Sequence, residues 1–147
     1  MLSEQNLRDI EEIKQLKARY VRFGDTRKWD EFATLFTADF EGIFEVMPRQ
    51  AKDHPTSAVI NGLDAFIGGM SALLVGVTTV HQVFSPEITI TGPATAIGIW
   101  AMHDFVQMPT CVFRGWGHYH EEYVRVDGVW KIKKSRTTRL HWEEIWR

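Results

Sequence analysis

The chain has 147 residues, 44% hydrophobic and 24% charged, with a net charge of −2 from 17 basic and 19 acidic side chains. That length predicts one domain over residues 1–147 with room for a real core. No basic excess points to nucleic acid, no polybasic segment points to a membrane surface, and no apolar run approaches the ~20 residues that span a bilayer.

Ser3 followed by Glu4 and Gln5 reads as a capped helix start. Leu7, Ile10, Ile13, Leu16, Tyr20 and Phe23 then recur at steps of three and four, the pattern of one buried helical stripe. Gly24 is the expected stop. Asp25 reaches the pocket of Tyr20 only if the helix ends near Gly24 and the chain turns, because five helical steps rotate a side chain through about 500°. Trp29, Phe32, Leu35 and Phe36 predict a second, short helix. Residues 40–46 read as a strand, 47–56 as a loop, 57–61 as a short strand and 63–75 as a third helix, weakened by Gly68-Gly69.

From residue 78 the pattern is β. Strands are expected over 78–84, 87–91, 94–108, 111–126 and 129–140, with Asp127-Gly128 as a hairpin turn and 141–147 as an amphipathic tail. Helices followed by long antiparallel strands are an α+β order. Gly98, Gly115 and Gly117 inside the strands suggest a strongly bent sheet, covered by the first helices around a cone-shaped pocket.

Asp25 and His81 are the leading candidates for chemistry. His81 lies in an apolar, β-branched run, and a carboxylate beside an imidazole fixes its tautomer and stabilises its protonated form. Asp25 would also sit at a helix C-terminus, where an acid opposes the macrodipole. Tyr20 is either core or a hydroxyl aimed into the cone. Asp104 shares a strand face with Trp100 and Met102 and must be partnered or functional, while His103 takes the opposite face. In the basic run of the last strand, Arg139 is the candidate to orient Asp104 or to bind an anionic group. Trp100, Met102, Tyr119 and Phe84 are the expected substrate-binding wall. His118, His120 and Glu122 share a strand face, but a solvated or interface face explains them better than a metal, and no metal or other cofactor is expected. The single Cys111 cannot form an internal disulfide, and the polar N-terminus lacks a signal-peptide core, which together predict a cytoplasmic protein.

Several stretches resemble the NTF2-like, or SnoaL-like, superfamily. They are residues 10–20 with Asp25 and Trp29-Asp30; His81 with residues 86–90; Trp100 with Asp104; and Gly117, Tyr119 and Tyr123 leading to residues 127–132. The nearest branch contains scytalone dehydratase, bile-acid dehydratase and hexachlorocyclohexane dehydrochlorinase. The resemblance implies a cone-shaped α+β domain, often a homo-oligomer, trimer or dimer, with Asp25 and His81 as an acid–base pair. Tyr20, Asp104 and Arg139 match functional positions of the bile-acid dehydratase, whereas the dehydrochlorinase departs at Tyr20. Many members of the superfamily have no catalytic role.

The expected activity is a cofactor-free β-elimination, most simply a dehydration, or a related isomerisation, on a small apolar, ring-containing molecule. In it His81 removes the proton, Asp25 balances its charge, Tyr20 steadies a carbonyl oxygen and a protonated Asp104 serves the departing hydroxyl. The alternatives are a carrier or accessory domain whose cone only binds, and a structural module packing through the exposed Trp residues and the tail. An open pocket beside the pair favours chemistry; a sealed pair favours structure.

Overall fold

Ser3 accepts the backbone N–H of Asn6 at 3.0 Å and caps the first helix as its sequence position demands. The computed structural model describes residues 2–147, so Met1 lies outside the described residues. In chain order the elements are α1 (Glu4–Asp25), α2 (Trp29–Ala33), β1 (Phe36–Phe44), β2 (Ala58–Asn61), α3 (Leu63–Leu73), β3 (Thr78–Gly92), β4 (Thr95–Gln107), β5 (Cys111–Val126) and β6 (Val129–Trp146). The six strands form one curved, open sheet in the order β2-β1-β6-β5-β4-β3. Only the β1–β6 pairing is parallel; the others are antiparallel. The expected α+β cone with its bent mixed sheet is therefore the architecture.

The helices cover the concave face. Ile13, Leu16 and Tyr20 of α1 pack with Phe32, Phe36, Phe40 and Phe66 and with inward-facing residues of β4, β5 and β6. A smaller cluster around Val106, Met108, Cys111 and Phe113 fills the other end. Burial of this aromatic and aliphatic surface is the main driving force for the fold.

Several boundaries differ from the sequence expectation. The buried stripe of α1 does not begin at Leu7, which is exposed; it contains Asp9 and Lys17 as well as Ile13, Leu16 and Tyr20. The helix passes Gly24 and ends at Asp25, and the turn comes only afterwards, where Arg27 takes a left-handed φ of 62°. Helix α2 stops at Ala33, and Phe36 already belongs to β1. The two strands expected over 78–91 are one strand with a bulge between Phe84 and Glu87, where Ser85 has φ 51°. The tail is not a separate element: β6 continues to Trp146 and pairs with the start of β5.

The Asp127-Gly128 hairpin forms with positive φ at both residues, the conformation that matches strand twist. Strands β5 and β6 approach closely at Gly117. The register shifts at Trp116/Gly117, and a Cβ on Gly117 would come within 1.9 Å of the Thr138 carbonyl oxygen. That contact is with backbone and cannot rotate away. Gly117→Ala is expected to destabilise the fold by about 1–3 kcal/mol or more, read as a lower urea midpoint; an unchanged midpoint would show that the two strands can separate there freely.

Candidate functional site

The C-terminal end of α1 abuts the first residues of β3, and this contact assembles the site. Asp25, the last residue of α1, approaches the His81 ring with Oδ1 at 2.7 Å from Nδ1. Its other oxygen, Oδ2, accepts the His81 backbone N–H at 2.8 Å. Thr79, two residues earlier on the same strand face, donates its hydroxyl to Oδ1 at 2.9 Å. An imidazole held this way carries its proton on Nδ1, because a carboxylate can only accept. Nε2 then takes no partner among the described residues.

His81 and Thr79 face a cavity of about 310 Å³, near the lower end of the ~300–1,000 Å³ typical of small-molecule sites. Asp25 stands behind the ring, outside the cavity wall. The walls are mostly apolar, with Phe44, Met47 and Pro48 from β1 and the loop after it, Ile60 from β2, and Met70 and Leu73 from α3. The polar groups gather on one side: Tyr20, Thr79, His81, Asp104, Tyr119, Thr137 and Arg139. This placement follows from strand alternation. Asp104 is the cross-strand partner of His81, so both side chains point inward, and His103 lies on the outer face stacked on Trp116.

Asp104 and Arg139 form a two-pronged ion pair, with Nη1 to Oδ1 at 2.7 Å and Nη2 to Oδ2 at 3.0 Å. Arg139 also donates to the Val46 carbonyl at 3.0 Å and to the Met102 sulfur at 3.4 Å. Gly115 makes the pair possible, since a Cβ there would lie 2.3 Å from Arg139 Nη1 and 2.6 Å from Asp104 Oδ1. The fork suits a carboxylate; a protonated Asp104 would lose one of its two acceptor oxygens. Of the two expectations for Asp104, a partnered acid or a pocket acid, the geometry shows the partner, and it is Arg139.

Of the four residues expected to form the substrate wall, Tyr119 lines the cavity. Trp100 does not: its indole N–H is buried against the Tyr123 hydroxyl at 2.9 Å. Met102 is buried beneath Arg139. Phe84 is exposed on the outer sheet face, one position out of phase with Thr79 and His81. His118, His120 and Glu122 also lie on the outer face, where His120 contacts the Thr138 hydroxyl.

Beneath Tyr20 and Tyr119 lies a feature the sequence reading missed. Lys17 and Glu121 form an ion pair at 2.9 Å with both side chains fully buried. Glu121 also accepts from Tyr123 at 2.8 Å and Ser135 at 2.7 Å, and the Lys17 ammonium lies over the rings of Tyr20 and Tyr119. Burial pulls the Lys17 pKa down, against the opposing pull of Glu121. Burial likewise pushes the Tyr20 and Tyr119 hydroxyls well above their ordinary range, so both are neutral donors near neutral pH. The pair had a readable signal, because Lys17 falls on the α1 stripe between Ile13 and Tyr20, and Glu121 alternates with Tyr119 and Tyr123. Truncating one partner strands the other charge. Lys17→Met is therefore expected to lose about 3–5 kcal/mol of stability in denaturant titration. Lys17→Met combined with Glu121→Gln should recover most of it, and equal losses in the single and double variants would contradict the pairing.

Comparison with known proteins places this geometry in context. Residues 5–136 match the model of the SnoaL-like domain. A Gibberella zeae protein described as a cyclase is 24% identical over 144 residues, covering 89% of this chain and 91% of that protein. A scytalone dehydratase-like protein from Novosphingobium aromaticivorans superposes with a TM-score of 0.80 at 19% identity, covering 99% of this chain and 93% of its own. A hexachlorocyclohexane dehydrochlorinase from Novosphingobium barchaimii superposes with a TM-score of 0.74 at 16% identity, covering 95% and 91%. At these identities the solved structures speak for the fold alone.

Proposed function

The chain belongs to the SnoaL-like domain family, and from that membership we propose that it is a cofactor-free acid–base lyase acting by β-elimination on a small, uncharged, ring-containing hydroxy compound. The observation that carries the reading is His81, braced by Asp25 on Nδ1 and fronting an apolar cavity. A neutral imidazole with a free Nε2 is a proton acceptor suited to neutral pH, and the carboxylate behind it stabilises the imidazolium that forms.

In the proposed reaction, Nε2 takes a proton from carbon next to a substrate carbonyl. The electrons move into the carbonyl, and the developing oxyanion is met by the hydroxyls of Tyr20 and Tyr119. The C–O bond to the β-hydroxyl then breaks as the new double bond forms. The imidazolium returns its proton to the departing hydroxide, so water leaves and His81 is again neutral. This route asks nothing of Asp104 as an acid. The Asp104–Arg139 pair instead fixes the polar wall beside His81 and keeps its charges mutually satisfied. An anionic substrate would meet the Asp104 carboxylate and a guanidinium that is already occupied, which is why the favoured substrate is uncharged. Double-bond isomerisation begins with the same proton removal and is open to the same residues.

The cyclase, dehydratase and dehydrochlorinase names among the relatives favour catalysis over a carrier role. The exposed Val80, Phe84, Ile99 and Ile145 on the outer sheet face support the expected homo-oligomer.

The test is a screen of cyclic β-hydroxy-ketones, including hydroxy-steroids, for formation of the conjugated enone by ultraviolet absorbance. On a substrate that turns over, His81→Ala should lose about 10²–10⁴-fold in kcat, with its thermal midpoint little changed. Asp25→Asn should lose much of the rate as well. Wild-type turnover in the His81 variant would remove the proposal.

A further inference from the structure

Behind the Asp25–His81 pair stands a residue to which no role has been given. Arg27 occupies the turn between α1 and α2 in the left-handed region, with φ 62°. A side chain disfavours that conformation, and Arg has no short polar group with which to compensate it. Such a residue persists where its surroundings hold it there. Arg27 is held by its guanidinium. Nη1 donates to the Gly24 carbonyl at 2.7 Å and to the Thr79 hydroxyl at 2.8 Å, and Nη2 donates to the Val77 carbonyl. The group therefore ties the end of the helix that carries Asp25 to the start of the strand that carries His81.

Hydrogen-bond logic gives the tie a direction. Arg27 has no acceptor, so at Thr79 it must donate, and the Thr79 oxygen must accept. The single Thr79 proton is then free to go elsewhere, and it goes to Asp25 Oδ1 at 2.9 Å. That is the same carboxylate oxygen that receives the His81 ring. We infer that Arg27 is a positioning residue for the Asp25–His81 pair, acting through the Thr79 hydroxyl to fix Asp25 and temper the basicity of the imidazole. The inference rests on His81 being the base.

Two effects point the same way. The guanidinium charge near Asp25 offsets part of the carboxylate's pull on the imidazole, and the Thr79 proton occupies a lone pair that would otherwise serve His81 alone. Arg27 and Asp25 also sense each other electrostatically: burial lowers the Arg27 pKa while Asp25 raises it. The other titratable groups lining the cavity with His81 are Tyr20 from α1, Asp104 from β4, Tyr119 from β5 and Arg139 from β6. None of these touches Arg27 or Thr79 through a hydrogen bond.

The experiment is a proton NMR titration of the His81 ring in the full-length protein, which needs no substrate. Arg27→Met should move the His81 titration midpoint upward, from removal of one partly screened charge and release of Thr79. Thr79→Val should raise it as well, and the two changes together should give less than their sum, because one residue acts through the other. If Arg27→Met fails to fold, Arg27→Gly removes the same donors while relieving the left-handed backbone, and it should show the same upward shift. An unmoved or lowered His81 pKa in the folded variants would reduce Arg27 to a structural tie and overturn the inference. Failure of every hydroxy-ketone to turn over would instead remove the lyase reading and leave the titration result standing.

Discussion

Asp25 meets His81 only because a 22-residue helix ends on the first residues of the strand that forms one edge of the sheet. The carboxylate grips His81 twice, through its ring and through its backbone N–H. A side chain bound at both points cannot swing, so the imidazole is fixed in rotamer and tautomer together. The cavity then follows from the sheet. Because side chains alternate, fixing His81 inward also turns Thr79, and Asp104 opposite His81 on β4, toward the same space.

The interior of this cone is unusually rich in charge for so small a core. Lys17–Glu121, Asp9–Arg125 and Asp104–Arg139 each bury at least one ionised side chain. Buried pairs of this kind contribute little net stability relative to apolar residues of similar volume. What they contribute here is placement. Glu121 is locked by Lys17, Tyr123 and Ser135, and the lysine in turn sits on the two tyrosine rings whose hydroxyls line the cavity. Asp9 accepts from Arg125 and from the Trp130 indole, pinning the helix to the last hairpin. An apolar core would pack as densely but would not hold the lysine against these two rings.

The sequence made the architecture legible because its strongest signals are periodic. Steps of three and four marked α1, alternation marked the long strands, and Asp127-Gly128 marked their hairpin. Part of what it concealed is position along an element, and part is face, as at Phe84 on the outer side of the sheet. Trp100 and Tyr119 share the inner face and are register partners, yet only Tyr119 reaches the cavity while Trp100 is packed deeper in the cone. The bulge at Ser85-Pro86 left two strands looking separate, since a proline inside a run reads as a break. Residues 141–147 read as a detached amphipathic tail, although the strand expected over 111–126 is long enough to pair with residues 141–146 and does so. Arg27 carries no sequence signal at all, as its role arises from a turn conformation and from residues 50 and 52 positions away.

The central claim is that Asp25 holds the His81 proton on Nδ1 and leaves Nε2 as a bare acceptor toward the cavity. Long-range proton–nitrogen correlation on histidine-labelled protein at neutral pH reads this directly, with the His81 signals assigned by their loss in the His81→Ala variant. The account predicts a protonated Nδ1 and an unprotonated Nε2, with the tautomer preference weakened in Asp25→Asn. A His81 ring protonated on Nε2 alone would contradict it.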